Sequence, residues 1–301
     1  MFKSSSFSVW PLYAVINELR PQSLFSRENR ICMGLRFGKK NPAMNMFLKP
    51  FMEEVQNIFK TGIQVMTAQS LKTIRAIILS VVADAPARCL MLNMMQFNGN
   101  YGCPCCLIPG ESHQLGENGN SRIYRYNLNN PKLFGHHELR THDSTIKIAK
   151  QVIDNFPLSR RSAAEPIMGV KGFSSMVKAH GRDIIRGKTI EYMNCVLLGA
   201  MQMMLSLWFD ISHRTKDWSI RNKIKEINER LLSIQPPNFI NRMPQNLENI
   251  SQWKASELRS FLIFYSIAVL NEYLPSQFFE HFILLPQAIF YCYKTQYLHM
   301  T

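Results

Sequence analysis

The chain lacks any apolar run of the roughly 18 residues that a membrane span needs. Its first residues, MFKSSSFSVWPL, hold no continuous apolar stretch of the kind a secretory signal requires. No segment repeats at a fixed period, which argues against a solenoid or propeller. Acids are scarce: 21 Asp+Glu face 35 Lys+Arg, a formal net charge of +14. A surplus of that size favours polyanionic partners, nucleic acid first and anionic membrane second. The seven cysteines are odd in number and unevenly spaced, so they do not read as a disulfide framework. Three are bunched and four scattered in apolar contexts, the pattern of an intracellular protein with reduced thiols and one metal site.

What is present is a chain of 301 residues, 46% hydrophobic, long enough for one large domain or two ordinary ones. The N-terminal part reads as mixed α/β. Residues 7–19, FSVWPLYAVINEL, and 31–37, ICMGLRF, are aromatic and β-branched, so both are strand candidates, the first broken near Pro11. Residues 44–61 place Met44, Phe47, Leu48, Phe51, Val55, Ile58 and Phe59 at helical spacing, with Gly62 placed to end the helix. Residues 74–83 form an apolar run with few charges, as a strand buried on both faces would. A short helix is expected over 85–95, with Pro86 early in it. Residues 97–119 are rich in Gly, Pro and Cys and read as a loop, 118–131 as a connecting loop, and 141–156 as a helix. From about residue 169 the chain turns helical, with helices expected over 189–209, 223–234, 255–270 and 277–293.

Two features in 74–113 could carry chemistry. Asp84 ends the apolar run. A strand end holds a carboxylate rigidly, which suits Mg²⁺ when other acids converge on it; the same residue could simply cap the helix that follows. Twenty residues on, Cys103-Pro-Cys105-Cys106 contains the C-x₂-C spacing that puts two thiolates on one side of a zinc ion. His113, His136, His137 and His142 could complete the site, and His137 and His142 lie five apart, but no clean second pair decides the set. Buried thiols in a loop are the alternative. Further on, Glu191 and Asn194 share a helix face at i, i+3, a spacing that a first-turn acid favoured by the helix dipole also explains. Met201, Met203 and Met204 read as core. The basic pairs Lys39-Lys40 and Arg160-Arg161 could meet phosphates or merely be solvated.

The string VVADAPARCLMLNMMQFNGNYGCPCCLIPGE resembles the transposase domain of CACTA-type (En/Spm-like) DNA transposons. So do GVKGFSS, DIIRGKTIEYMNCVLLG, LSLWFD, WKASELRSFLIFYS and LPSQFFEHFILLPQAI. The resemblance implies an RNase H-like fold with a DDE triad, in which three acids hold two Mg²⁺ or Mn²⁺ ions and Asp84 is the second acid. By the same resemblance the first acid belongs before FKSSSFSVWP and the third beyond QAIFYCYKT, both outside this chain. Glu191 and Asn194 stand where relatives have Asp and His; Asn194 removes an imidazole that could bind metal or relay a proton. Cys103, Cys106 and His142, with His137 nearby, match a cysteine–histidine insertion that implies structural zinc, while Cys105 stands where relatives have a bulky residue.

The expected architecture is therefore α/β. It comprises a partial RNase H-like core over 1–96, a Cys/His-containing insertion over 97–168 and an all-helical region over 169–301. The expected protein is a nuclear, catalytically inactive transposase remnant that keeps some DNA binding and can associate with itself or with full-length relatives. A co-opted DNA-binding or interaction protein, or a part of an active transposase, is the alternative. Loss of a first strand would leave an exposed sheet edge.

Overall fold

Helix-spaced apolar residues in 44–61 become the centre of the first of two compact units, 1–189 and 190–301. A computed structural model of the chain describes residues 7–115, 119–124, 137–155, 164–178, 183–238, 240 and 242–298. In the first unit β1 (Ser8–Ala14) is followed by a short turn of helix, α1 (Pro21–Leu24), and by β2 (Ile31–Gly38). Next come α2 (Met44–Thr61), β3 (Ile63–Met66), β4 (Leu71–Ile74), β5 (Val81–Ala83) and α3 (Ala85–Leu92). The hairpin β6 (Glu111–Leu115) and β7 (Gly119–Ile123), helix α4 (His142–Asp154) and strand β8 (Lys188–Ile190) complete the order. Among the described residues the strands form two-stranded sheets only: β1–β2, β3–β4, β5–β8 and β6–β7.

Helix α2 spans the residues its periodicity predicts. Met44, Leu48 and Met52 recur every four residues, so they share one face, and all three are buried. They pack with Met91, Leu92 and Met94 from α3 and the turn after it, with Ile148 and Ala149 of α4, and with Val170, Met176, Ile184 and Ile185. Trp10 and Leu12 from the inner face of β1 close against this core. Gly62 ends α2 with φ of 76°, a left-handed value that glycine adopts without steric cost.

Four expectations from sequence are corrected. Strand β1 runs through Pro11, which pairs opposite Leu35, instead of breaking there. A sheet of two strands has only edges, and an edge strand tolerates the missing N–H. The apolar run 74–83 is not a strand buried on both faces. Only its two ends are strand, Ile74 closing β4 and Val81–Ala83 forming β5, and between them Ile77 and Leu79 are 54% and 57% exposed. A continuous apolar run signals a buried strand only if neighbours cover it, and here β5 has just β8 beside it. The expected loop around 118–131 contains β7, paired antiparallel to β6 from Glu111↔Ile123 to Leu115↔Gly119. Polar strands of this kind carry no apolar alternation to announce them. The helix expected from 189 begins later, since Lys188–Ile190 is strand β8.

The second unit is helical. A π-helical stretch, Met193–Met201, runs into α5 (Gln202–Phe209). It is followed by α6 (Ile224–Ser233), α7 (Ala255–Ser260), α8 (Ser266–Leu270), joined to α7 through the π turn Phe261–Tyr265, and α9 (Ser276–Leu298). Its core takes Leu197, Met201, Leu205, Trp208, Leu258, Phe261 and Phe282. Met201 is fully buried and Met204 packs against the core, whereas Met203 faces solvent. No described helix is long and apolar enough to cross a membrane.

Candidate functional site

Asp84 stands between β5 and α3, and its carboxylate has a local task. Oδ1 accepts a hydrogen bond from the Ala87 N–H at 2.8 Å, which satisfies one of the orphan donors of the helix start. Pro86 in the first turn removes a donor that would otherwise go unpaired. The residue is exposed. The strand-end position that suits a metal ligand and the cap thus coexist in one residue.

The cysteine turn is held by backbone. Leu107 N–H donates to Glu138 O and Arg140 N–H to Cys105 O, both at 2.9 Å, and Cys106 bridges antiparallel to Leu139. Segment 138–140 therefore lies along the turn, although some thirty residues separate the two in sequence. Cys103 Sγ accepts from Cys105 N–H at 3.4 Å and lies 3.4 Å from Cys106 Sγ. All seven cysteines are thiols.

Arg140 fastens this turn. It is buried, and its guanidinium donates to three carbonyls: Cys103 O and Tyr101 O at 2.9 Å and Met168 O at 2.7 Å. Tyr101 and Met168 both hold positive φ, 54° and 46°. These left-handed positions are costly for side chains with a Cβ. One planar cation with several fixed donors suits three converging carbonyls better than a lysine could. Gly169, with φ of 78°, packs its Cα against the Tyr101 backbone where no Cβ would fit.

The three thiols are pushed in opposite directions. Hydrogen bonding from Cys105, with help from backbone N–H groups and Cys106, holds the Cys103 thiol down at about 4. Cys105 is pushed up by donating to Cys103 and by burial, and Cys106 chiefly by burial. Burial lowers Arg140 and Lys188, and the neighbouring sulfurs offset it; Lys188 also bonds the Cys105 side chain. A buried guanidinium and a half-buried ammonium therefore meet thiols, the donors zinc prefers when deprotonated.

Of the residues that the sequence offers as zinc ligands, the structure brings two cysteines, Cys103 and Cys106, close together, and the chain from His137 to His142 runs beside them. His142, in the first turn of α4, accepts the Ile184 N–H at its Nδ1 at 3.3 Å. Among the described residues no group of three His, Cys, Asp or Glu side chains takes a metal-holding arrangement. His136 lies outside the described residues, as do Arg160 and Arg161. His113 is on β6 and exposed.

Glu191 and Asn194 do come together, in the second unit. Glu191 Oε1 accepts Met193 N–H at 2.6 Å; Oε2 accepts Asn194 N–H at 2.6 Å and the Asn194 amide at 2.8 Å. Both carboxylate oxygens are thus engaged at the start of the helix, the arrangement that the helix-start reading of a first-turn acid describes.

Sequence reasoning did not single out Arg140 or Lys188. Nothing local marks them, since their partners lie 28 to 39 residues away for Arg140. The one available signal was RTH itself, an arginine two residues before a candidate ligand. No curated protein and no solved structure matches the chain. Residues 2–146 match the model of transposase family tnp2. The match, with Asp84 and the cysteine turn inside it, supports a transposase domain of this family over that stretch.

Proposed function

We propose that the protein is a remnant of a DDE-type DNA transposase of the CACTA (En/Spm-like) kind, catalytically inactive, built on part of an RNase H-like core and retaining DNA binding in the nucleus. The observation that carries this reading is the place of Asp84, an acid at the end of a strand and the start of a helix inside the matched transposase domain. Two-metal phosphoryl transfer needs several acids converging on one point. Among the described residues no such group forms around Asp84, and one of its oxygens is occupied by the cap. In a DDE site Asp84 would hold the Mg²⁺ or Mn²⁺ that activates water or a 3′-hydroxyl, but it would need partners.

The test is strand cleavage and strand transfer on DNA with Mg²⁺ or Mn²⁺. No product is expected from the wild-type chain. Asp84→Ala is expected to act only as a lost cap, lowering stability by about 1 kcal/mol in thermal denaturation. Cleavage by the wild type that disappears in Asp84→Ala would overturn the inactive reading.

Distribution of charge supports the DNA-binding part. Of the charged residues, 25 Lys+Arg and 12 Asp+Glu lie in 1–189, against 10 and 9 in 190–301. The basic surplus thus belongs to the unit that contains the transposase domain. Duplex affinity is expected to fall steeply with salt, as counterion release demands. A steep slope with sequence preference would favour the second reading, a co-opted DNA-binding protein that associates with itself or with full-length relatives.

The cysteine turn is proposed as a structural zinc site, with Cys103 and Cys106 as two ligands and His142 and His137 as the candidates to complete it. The pinned C-x₂-C geometry, with Cys103 Sγ 3.4 Å from Cys106 Sγ, supports this. Purified protein is expected to carry about one zinc per chain by elemental analysis, lost in Cys103→Ser/Cys106→Ser together with stability. Metal-free protein with unchanged melting would remove the zinc reading.

A further inference from the structure

The hairpin β1–β2 has two unlike faces. Trp10 and Leu12 turn inward to the core of the first unit. Their neighbours turn outward, and the register places them opposite outward residues of β2: Val9↔Phe37, Pro11↔Leu35, Tyr13↔Cys32. Directly opposed residues of an antiparallel pair share a face. The result is an exposed ladder in which Tyr13 is 57% and Phe37 64% accessible. At one end of it Phe7 stacks on Phe37, with ring centroids 4.8 Å apart and planes 7° apart, and Lys39 Nζ sits 5.3 Å from the centre of the Phe7 ring.

Cations flank this ladder. Lys39 and Lys40 follow β2, Arg30 precedes it, and Arg20 and Arg27 lie in the connection from β1; all five are exposed. Among the described residues none of them forms an ion pair. The segment 7–42 contains six Lys+Arg and two Asp+Glu. An aliphatic ladder alone would say nothing about its occupant. Exposed aromatic rings with cations at both ends of the hairpin ask for a ligand that is flat and apolar on its faces and anionic along its backbone.

We propose that the outer face of the β1–β2 hairpin is a binding platform for single-stranded DNA, with bases stacking on Tyr13 and Phe37 and phosphates meeting Arg27, Arg30, Lys39 and Lys40. Sequence-tolerant single-strand binding uses this combination of a stacking surface and a cationic margin. A duplex keeps its base faces inside and could use only the cations. The proposal goes beyond DNA binding in general and rests on that reading for the choice of polyanion.

The experiment is fluorescence anisotropy of the full chain with labelled dT15 and with a 15-base-pair duplex, across a salt series. Tyr13→Ala/Phe37→Ala is expected to weaken dT15 binding by tenfold or more while duplex affinity stays within about twofold. Both side chains are exposed, so the variant should fold, and circular dichroism checks that it does. Should it not fold, Lys39→Gln/Lys40→Gln keeps the hairpin, and the log–log salt slope for dT15 should drop by about 0.7 per cation removed. Unchanged dT15 affinity in the folded aromatic variant, or an unchanged salt slope in the lysine variant, overturns the platform and leaves general DNA binding intact. Wild type that binds neither DNA overturns both. A wild-type dimer that Tyr13→Ala/Phe37→Ala converts to monomer overturns the platform too, because the occupant of the face is then a second copy.

Discussion

Arg140→Met is expected to lower the stability of the first unit by about 3 kcal/mol and to make the cysteine turn reactive. Methionine retains much of the buried bulk, so the loss is polar. Cys103 O, Tyr101 O and Met168 O lose their shared donor at once. A buried carbonyl left without a partner costs about 1–3 kcal/mol, less where water can reach it. Two of the three carbonyls belong to residues at positive φ, so the same substitution releases backbone that is held in a costly conformation. Arg140→Lys should rescue little, since one ammonium lacks the fork that spans three acceptors. The measurements are thermal denaturation and the rate of thiol labelling of Cys103, Cys105 and Cys106. Unaltered melting and unaltered labelling would mean that the turn is held by its strand-like pairing with Glu138–Arg140 alone.

Phe282→Ala is expected to destabilise the helical unit by about 3–5 kcal/mol, enough to unfold it at moderate temperature. Phe282 is fully buried on α9 and meets the Trp208 ring edge-on, with centroids 5.1 Å apart. Truncation removes the aromatic area and leaves a void that Trp208 and the fully buried Leu205 cannot fill without moving their own helix. Edge-to-face pairs add about 0.5–1.5 kcal/mol beyond burial. Phe282→Leu should therefore recover most of the loss. Phe290→Ala, on the same helix but exposed, is the control and should change melting little. An equal effect of the two would show that α9 is not anchored through Phe282.

Much of the local structure can be read without coordinates. Helix α2 begins and ends where apolar spacing and Gly62 place it. α4 runs from His142 to Asp154 within the expected 141–156, and α6 from Ile224 to Ser233 within 223–234. These elements have a 3.6-residue period, which is a property of the chain itself. Strands were harder. The run 74–83 is as apolar as a central strand, yet it yields strand only at its two ends, Ile74 and Val81–Ala83, with an exposed stretch between. Whether a strand is covered depends on what lies beside it.

The order of residues along the chain sets which chemical groups are present. The chain holds one acid at a strand end, three thiols on a turn, a basic N-terminal half and helices set by their apolar period. How those groups are used depends on the fold. It assigned one Asp84 oxygen to a helix cap, set Cys103 and Cys106 side by side, and brought Arg140 across to three carbonyls in two other segments. It turned the Tyr13 and Phe37 rings outward. The reason is range: period and capping act within a few residues, while a buried cation or a covered sheet face takes its partners from segments far apart in the chain.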